Sequence, residues 1–193
     1  MTGMITLAGV TKAFGAKQVL QGVDLNIEKG QSVVVIGGSG SGKSVMLKSV
    51  LGLLTPDSGT IHVDGTQTVG LSRRDRAHID ANIGMLFQNG ALFDSLPVWR
   101  NVVFRGVQDN TLDMQAARDI AVTSLSQVGL GPELLDVFPA ALSGGMQKRV
   151  GLARAIASKP DIIFFDEPTT GLDPETKRSM WSLVDSAKGG RSI

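Results

Sequence analysis

The chain has no cysteine and no long apolar run, and neither sign of charge prevails. Each absence closes off a class of function. Without cysteine there is no disulfide framework and no thiolate zinc site, and nothing points to an oxidising compartment. Nineteen basic residues stand against eighteen acidic ones for a net charge of +1, so no global field draws the chain to nucleic acid or anionic lipid. The longest apolar runs, 33–36 and 162–165, fall far short of the roughly 20 residues that span a bilayer. Met1-Thr2-Gly3-Met4 runs straight into a strand-like segment without a basic n-region and apolar h-region, so no signal peptide is expected. The expectation is a soluble chain without a nucleic-acid partner that docks on a membrane protein. Its 193 residues suit one domain, or one with a sub-domain, around a substantial core.

What is present centres on residues 32–51. A β-branched run, Ser32 to Ile36, leads into Gly37-Gly38-Ser39-Gly40-Ser41-Gly42-Lys43-Ser44, and a helical pattern with Val45, Met46, Leu47, Val50 and Leu51 follows. The pattern predicts strand, loop, helix. The loop fits G-x-x-x-x-G-K-[ST]. Its glycines let successive N–H groups turn inward on a phosphate, and the helix N-terminus adds open amides and the positive end of its dipole. In this reading Lys43 reaches the β- and γ-phosphates, and the Ser44 hydroxyl ligates Mg2+. The alternative is a glycine-rich turn with an incidental lysine.

Along the chain, Met4–Val10, Val19–Ile27 and Thr60–Val63 read as short strands in an antiparallel layer, and residues 54–59 as a turn. Gly84 to Gln88 is a short apolar strand ending at a polar amide. From about Ser95 to Ala157 the pattern is helical, with a helix over 111–128 stopped by Gly129. A helical insertion, 95–157, thus separates two halves of an α/β core, 1–94 and 158–193. Asp173-Pro174 starts another helix as N-cap and first residue; Trp181, Leu183, Val184 and Ala187 form its apolar side and Gly189-Gly190 its stop. Arg191 to Ile193 reads as entry to a further strand.

Ile162-Ile163-Phe164-Phe165-Asp166-Glu167 is an apolar run ending in two acids. A buried parallel strand delivers carboxylates in this way to the sheet's C-terminal edge, where α/β folds bind ligands. Asp166 is the candidate magnesium ligand and Glu167 the group that polarises an attacking water; an acidic loop after a strand is the plainer alternative. Leu142-Ser143-Gly144-Gly145 opens a second capped helix suited to an anion. Its plainer reading is a capped helix alone. A second γ-phosphate contact makes most sense toward a nucleotide on another subunit, which implies a dimer.

In this order the residues resemble the nucleotide-binding domain of ABC transporters: a Walker A loop at 37–44, a Q-loop at Gln88, the signature Leu142 to Gln147, a Walker B strand Ile162 to Asp166 with Glu167, and a D-loop Gly171-Leu172-Asp173. That resemblance implies a P-loop fold of ABC type, with a RecA-like parallel core sheet, an antiparallel β subdomain and an inserted α-helical subdomain. It also implies ATP and Mg2+ as ligands, with Glu167, Lys43 and Gln88 catalytic and Ser44, Gln88 and Asp166 on the metal. Phe14 stacks on adenine or else packs in the core. Gly37, Gly38, Ser39, Gly40, Ser41, Gly42, Lys43 and Ser44 hold phosphate, and Ser143, Gly144 and Gly145 act in trans across a homodimer. Residues 84–99 and 145–154 further resemble the ATP-binding subunit of the Mla system and its MCE-type relatives, which move phospholipid between bacterial inner and outer membranes; Arg100 stands where that group carries an acid. This implies an MlaE-like permease contacted near Gln88 and a peripheral location on the cytoplasmic face of the inner membrane. Leu92, Phe93 and Trp99 either line a groove for a partner helix or pack the helical insertion.

The resemblance also places a switch histidine about thirty residues beyond Glu167. Only His62 and His78 occur, both upstream and both read as structural or surface residues, and Ile193 lies 26 positions beyond Glu167. The expectation is that the chain stops short of that histidine, binds ATP and hydrolyses it poorly. The other readings are an ABC ATPase with different cargo, a hydrolysis-impaired nucleotide-binding fragment or silent regulator, and a repair or translation ATPase. A repair ATPase needs a long coiled coil after Gln88, and a translation ATPase usually carries two cassettes.

Overall fold

The computed structural model describes residues 3–88 and 90–188. They form two compact units, one ending at Ala81 and one beginning at Asn82.

The first unit is built on an antiparallel sheet. Strands β1 (Ile5–Phe14), β2 (Lys17–Ile27), β3 (Ser58–Val63) and β4 (Thr66–Gln67) are ordered β2-β1-β3-β4. Ile5 lies opposite Ile27 on one side and Val63 on the other, and Leu7 opposite Leu25 and Ile61. This alternation gathers Ile5, Leu7, Val10, Leu20, Ile27, Ile61 and Val63 into a buried layer, as a one-sided sheet requires. β1 and β2 run longer than their apolar cores predict, because the ladder continues through a bulge and the Gly15 turn into polar residues. Helix α1 (Lys43–Val50) follows the glycine loop, and α2 (Arg73–Ala81) is tied to its end: buried Arg76 donates to the Val50 carbonyl and to Asp80.

The strand expected over 32–36 does not form. The segment has no ladder partner among the described residues, and Val34 and Ile36 are 78% and 90% exposed. β propensity expresses a fit to a pleated, half-buried surface, and this unit's sheet closes without that run.

The second unit pairs β5 (Ile83–Leu86) with β6 (Ile162–Phe165) in parallel, Ile83 beside Ile162 and Leu86 beside Phe165. Around the pair lie α3 (Val98–Val102), α4 (Phe104–Gln108), α5 (Met114–Gln127), α6 (Gly144–Ala157) and α7 (Pro174–Lys188). Leu86, Val98, Leu125, Val150, Leu152, Ile163 and Met180 are among its buried core residues. The helix expected from residue 111 starts at Met114, because the Asp113 carboxylate caps it by accepting from the Ala116 N–H. Ser143 caps α6 through the Met146 N–H, and Asp173 caps α7 through Glu175 and Thr176. On α7, Met180 and Val184 face the core, whereas Trp181 is 51% exposed and does not belong to the apolar side. The Ala187 side chain, the Gly189-Gly190 stop, the strand start at 191–193 and Asn89 lie outside the described residues.

Trp99 is 4% exposed, so it packs in the core. The guanidiniums of Arg100 and Arg118 lie 5.2 and 5.4 Å from its ring, and Arg118 is held in turn by Asp136 at 2.7 and 3.0 Å. Arg100 thereby has a local reason to be basic, as a cation over an indole. Phe93 stacks on Phe104 with centroids 4.3 Å apart and stays partly exposed.

β5 approaches α6 so closely that a Cβ at Gly84 collides with the Ala155 carbonyl oxygen and comes within 3.0 Å of Pro160. Neither backbone nor proline ring yields cheaply, so Gly84→Ala is expected to lower the denaturation free energy by about 1–3 kcal/mol. Gly144→Ala, whose Cβ meets nothing within 4 Å, is expected to cost under about 0.5 kcal/mol. Urea midpoints of the two variants check this; equal midpoints refute the close approach.

Candidate functional site

In the first unit the glycine loop has the backbone that phosphate binding needs. Gly40 and Gly42 sit at φ +76° and +101°, where a side chain is strained. Gly42 additionally packs against Val19 and Leu20 and forms the N-cap of α1. Helix α1 begins at Lys43, so the open amides of its first turn follow the loop directly. The Lys43 ammonium donates to the Gly37 and Gly38 carbonyls at 2.7 and 2.9 Å, which keeps it folded over the loop. Ser39, Ser41 and Ser44 are exposed. A glycine-rich backbone running into a helix start, a lysine folded over it and an exposed hydroxyl at that start suit a nucleotide phosphate with its divalent ion.

Phe14 ends β1 and is 50% exposed, which removes the core reading for it. Lys12 lies 5.8 Å from its ring centroid and pairs with Asp57 at 2.6 Å. The Asp57 carboxyl is held below its ordinary value by the Lys12 hydrogen bond and by the Ala13 N–H.

In the second unit the parallel pair brings two sequence-predicted residues together. The Gln88 amide, beyond the end of β5, donates to Glu167 Oε2 at 3.1 Å. The Thr170 hydroxyl donates to the same oxygen at 3.0 Å. With both donors on Oε2, Oε1 accepts from no side chain among the described residues, as a group that takes a proton from water requires. Asp166, one residue earlier, is anchored by its N–H on the Leu86 carbonyl at 2.9 Å. Glu167 itself sits at φ +47°, an uncommon conformation for a non-glycine residue.

The signature residues stand at the start of α6. Ser143 and Gly144 are exposed and Gly145 is half-buried against Thr176. Ser143 accepts the Met146 N–H with its hydroxyl oxygen, which leaves its O–H free to donate, so this helix start offers a ligand a hydroxyl as well as main-chain amides.

Sequence reasoning missed the cations of α6. Lys148 is 6% exposed and donates to the carbonyls of Pro168, at 3.4 Å, and Thr170. Burial lowers its ordinary value, opposed by the Glu167 charge. Arg154 donates to the carbonyls of Gly90 and Ala91 at 2.6 and 2.8 Å. Arg149 donates to Ser179 at 3.0 Å. Nothing in the sequence marks these groups, because cations in a helix ordinarily face water. Among the described residues no cluster of three histidine or acidic side chains could hold a metal.

The fold is that of an ATP-binding cassette. A dimeric bacterial ABC transporter cassette, MJ0796, matches with a TM-score of 0.89 at 32% identity, over 98% of this chain and 86% of that one. The cassette cbiO1 of Clostridium perfringens, part of the transporter complex cbiONQ, matches with a TM-score of 0.85 at 28% identity, over 100% and 77%. Residues 20–170 match the ABC transporter family, to which this chain belongs. Among curated relatives, "Probable ribonucleotide transport ATP-binding protein mkl" of Mycobacterium leprae is 44% identical over 93% of this chain and 52% of its own length. "Glutamine transport ATP-binding protein GlnQ" of Escherichia coli is 40% identical over 98% and 79%. The chain thus spans about half the length of the mycobacterial relative.

The capping carboxylate of Asp173 is held below its ordinary value by hydrogen bonds from Thr176. A lowered native value stabilises the fold above the unfolded value, near 3.9, and that contribution disappears as pH falls through the native value. Asp173→Ala is therefore expected to lower the thermal midpoint at pH 7, with the gap from the parent closing on acidification below about pH 4. Melting both proteins from pH 7 to 2 checks this, and a pH-independent gap refutes it.

Proposed function

We propose that the chain binds and hydrolyses ATP as the energy-converting subunit of a bacterial transporter, working as a homodimer on the cytoplasmic face of the inner membrane against a separate permease. The observation that carries this reading is the Gln88–Glu167 contact, a carboxylate fixed through one oxygen and open at the other. In this scheme Lys43 and the amides of 37–44 hold the β- and γ-phosphates, and Phe14 stacks on adenine. Ser44, Gln88 and Asp166 hold Mg2+, which supplies charge neutralisation on the phosphates. Glu167 takes the proton as water attacks the γ-phosphorus and the bond to the β-phosphate oxygen breaks, giving ADP and phosphate. Ser143, Gly144 and Gly145 act on the nucleotide of a second copy, so binding joins two surfaces and hydrolysis removes the phosphate between them. The halves 1–94 with 158–193, and the insertion 95–157, serve as core and helical subdomain.

For cargo we favour phospholipid moved between inner and outer membranes through an MlaE-like permease, supported by the likeness of residues 84–99 and 145–154 to Mla and MCE-type ATPases. A second reading, transport of a ribonucleotide or amino acid, is favoured by the names of the mycobacterial and enterobacterial relatives.

Mg-ATP is expected to raise the unfolding midpoint of the parent. Lys43→Ala should abolish that shift, and Glu167→Gln should keep it while turnover falls about 10²–10⁴-fold. Unchanged turnover in Glu167→Gln sinks the assignment of the base. For cargo, the complex purified from native membranes should contain an integral permease and be stimulated by phospholipid; stimulation by ribonucleotide or glutamine instead selects the second reading.

A further inference from the structure

We propose that Lys148 is a positioning residue for Glu167: from helix α6 its ammonium braces the Pro168–Thr170 turn, and the Thr170 hydroxyl passes that brace to Glu167 Oε2. The inference rests on reading Glu167 as the base that activates water.

Three observations carry it. A lysine is almost never fully buried unless its charge is compensated, and Lys148 is 6% exposed with main-chain carbonyls, those of Pro168 and Thr170, as its hydrogen-bond acceptors. A buried cation that spends its bonds on two carbonyls of one turn fixes that turn. Next, Glu167 sits at φ +47° and its carbonyl accepts the Thr170 N–H at 3.2 Å, so its uncommon backbone persists only while the 167–170 turn is held. Finally, the same Thr170 donates its hydroxyl to Glu167 Oε2, beside the Gln88 amide. The turn that Lys148 grips therefore decides which carboxylate oxygen is engaged and which stays open.

Lys148 hydrogen-bonds to neither carboxylate oxygen, so beyond the attraction between the two charges its effect is on placement. A misplacement on the order of 1 Å of a reacting group can cost about 10²-fold in rate. Removing the brace should therefore reduce kcat and leave nucleotide binding alone. Methionine keeps the length and apolar stem of Lys148 and deletes the donor. Glutamine keeps a donor.

The experiment compares the parent with Lys148→Met, Lys148→Gln, Thr170→Val and the Lys148→Met/Thr170→Val double variant, all in the complete chain. Expected are a kcat about 10- to 100-fold lower for Lys148→Met, a KM for Mg-ATP within about twofold of the parent, and partial recovery in Lys148→Gln. The double variant should be no slower than the slower single one, because both act through the same turn. Exchange of the Thr170 amide should be about tenfold faster in Lys148→Met. Unchanged kcat with unchanged Thr170 exchange overturns the proposal, as does equal loss in the Met and Gln variants with a fully additive double variant. A parent whose turnover is indifferent to Glu167→Gln instead removes the base assignment, and the Thr170 amide then reports on the brace by itself.

Discussion

The second unit depends on one short piece of parallel ladder. Four residues of β5 are registered on four of β6, from Ile83 beside Ile162 to Leu86 beside Phe165. Because the strands run the same way, whatever follows each emerges at the same edge, and that alone brings Gln88 within hydrogen-bond reach of Glu167 across 79 positions of sequence. A one-residue slip would turn the buried faces of Leu86 and Ile163 outward and carry the two polar groups apart. Apolar residues on both faces of so short a pair have to be covered, and Gly84 marks where α6 comes down on it with no room for a methyl group.

Helix α6 therefore does more than close the core. Arg154 binds the carbonyls of Gly90 and Ala91 beyond β5, and Lys148 those of Pro168 and Thr170 beyond β6. Lys148 is buried and Arg154 half-buried, and each is compensated by carbonyl oxygens of the turns it grips. A helix is stiff along its axis, so the two grips, less than two turns apart, move together with the capped start at Ser143. The loop after Gln88, the turn after Glu167 and the signature are thus registered on one rod.

What the sequence made legible was local chemistry. The glycine loop, the two acids closing an apolar run, the Ser143 cap and Asp173-Pro174 each need only neighbours a few residues away, and each stands where it was expected. The misses need distant partners. Residues 32–36 have the composition of a strand, yet the four-stranded sheet beside them is complete without them. Trp181 fits an apolar helix side by type and faces outward, while Met180 beside it is buried. Lys148, Arg149 and Arg154 drew no expectation of their own, because composition cannot show a carbonyl waiting in another loop.

The same distinction bears on how the stretch from Gly84 to Trp99 is weighed. Val98 and Trp99 are buried, and the guanidiniums of Arg100 and Arg118 both lie against the Trp99 ring. Those positions are constrained by packing whatever the chain drives, so likeness there speaks to how the helices fit together. Phe87 and Phe93 remain partly exposed, and Phe93 is stiffened by its stack on Phe104. A rigid aromatic left at the surface is the kind of group that a partner can select. Within this stretch Phe87 and Phe93 are the aromatic groups that stay exposed, and substitutions at Trp99 report on the core.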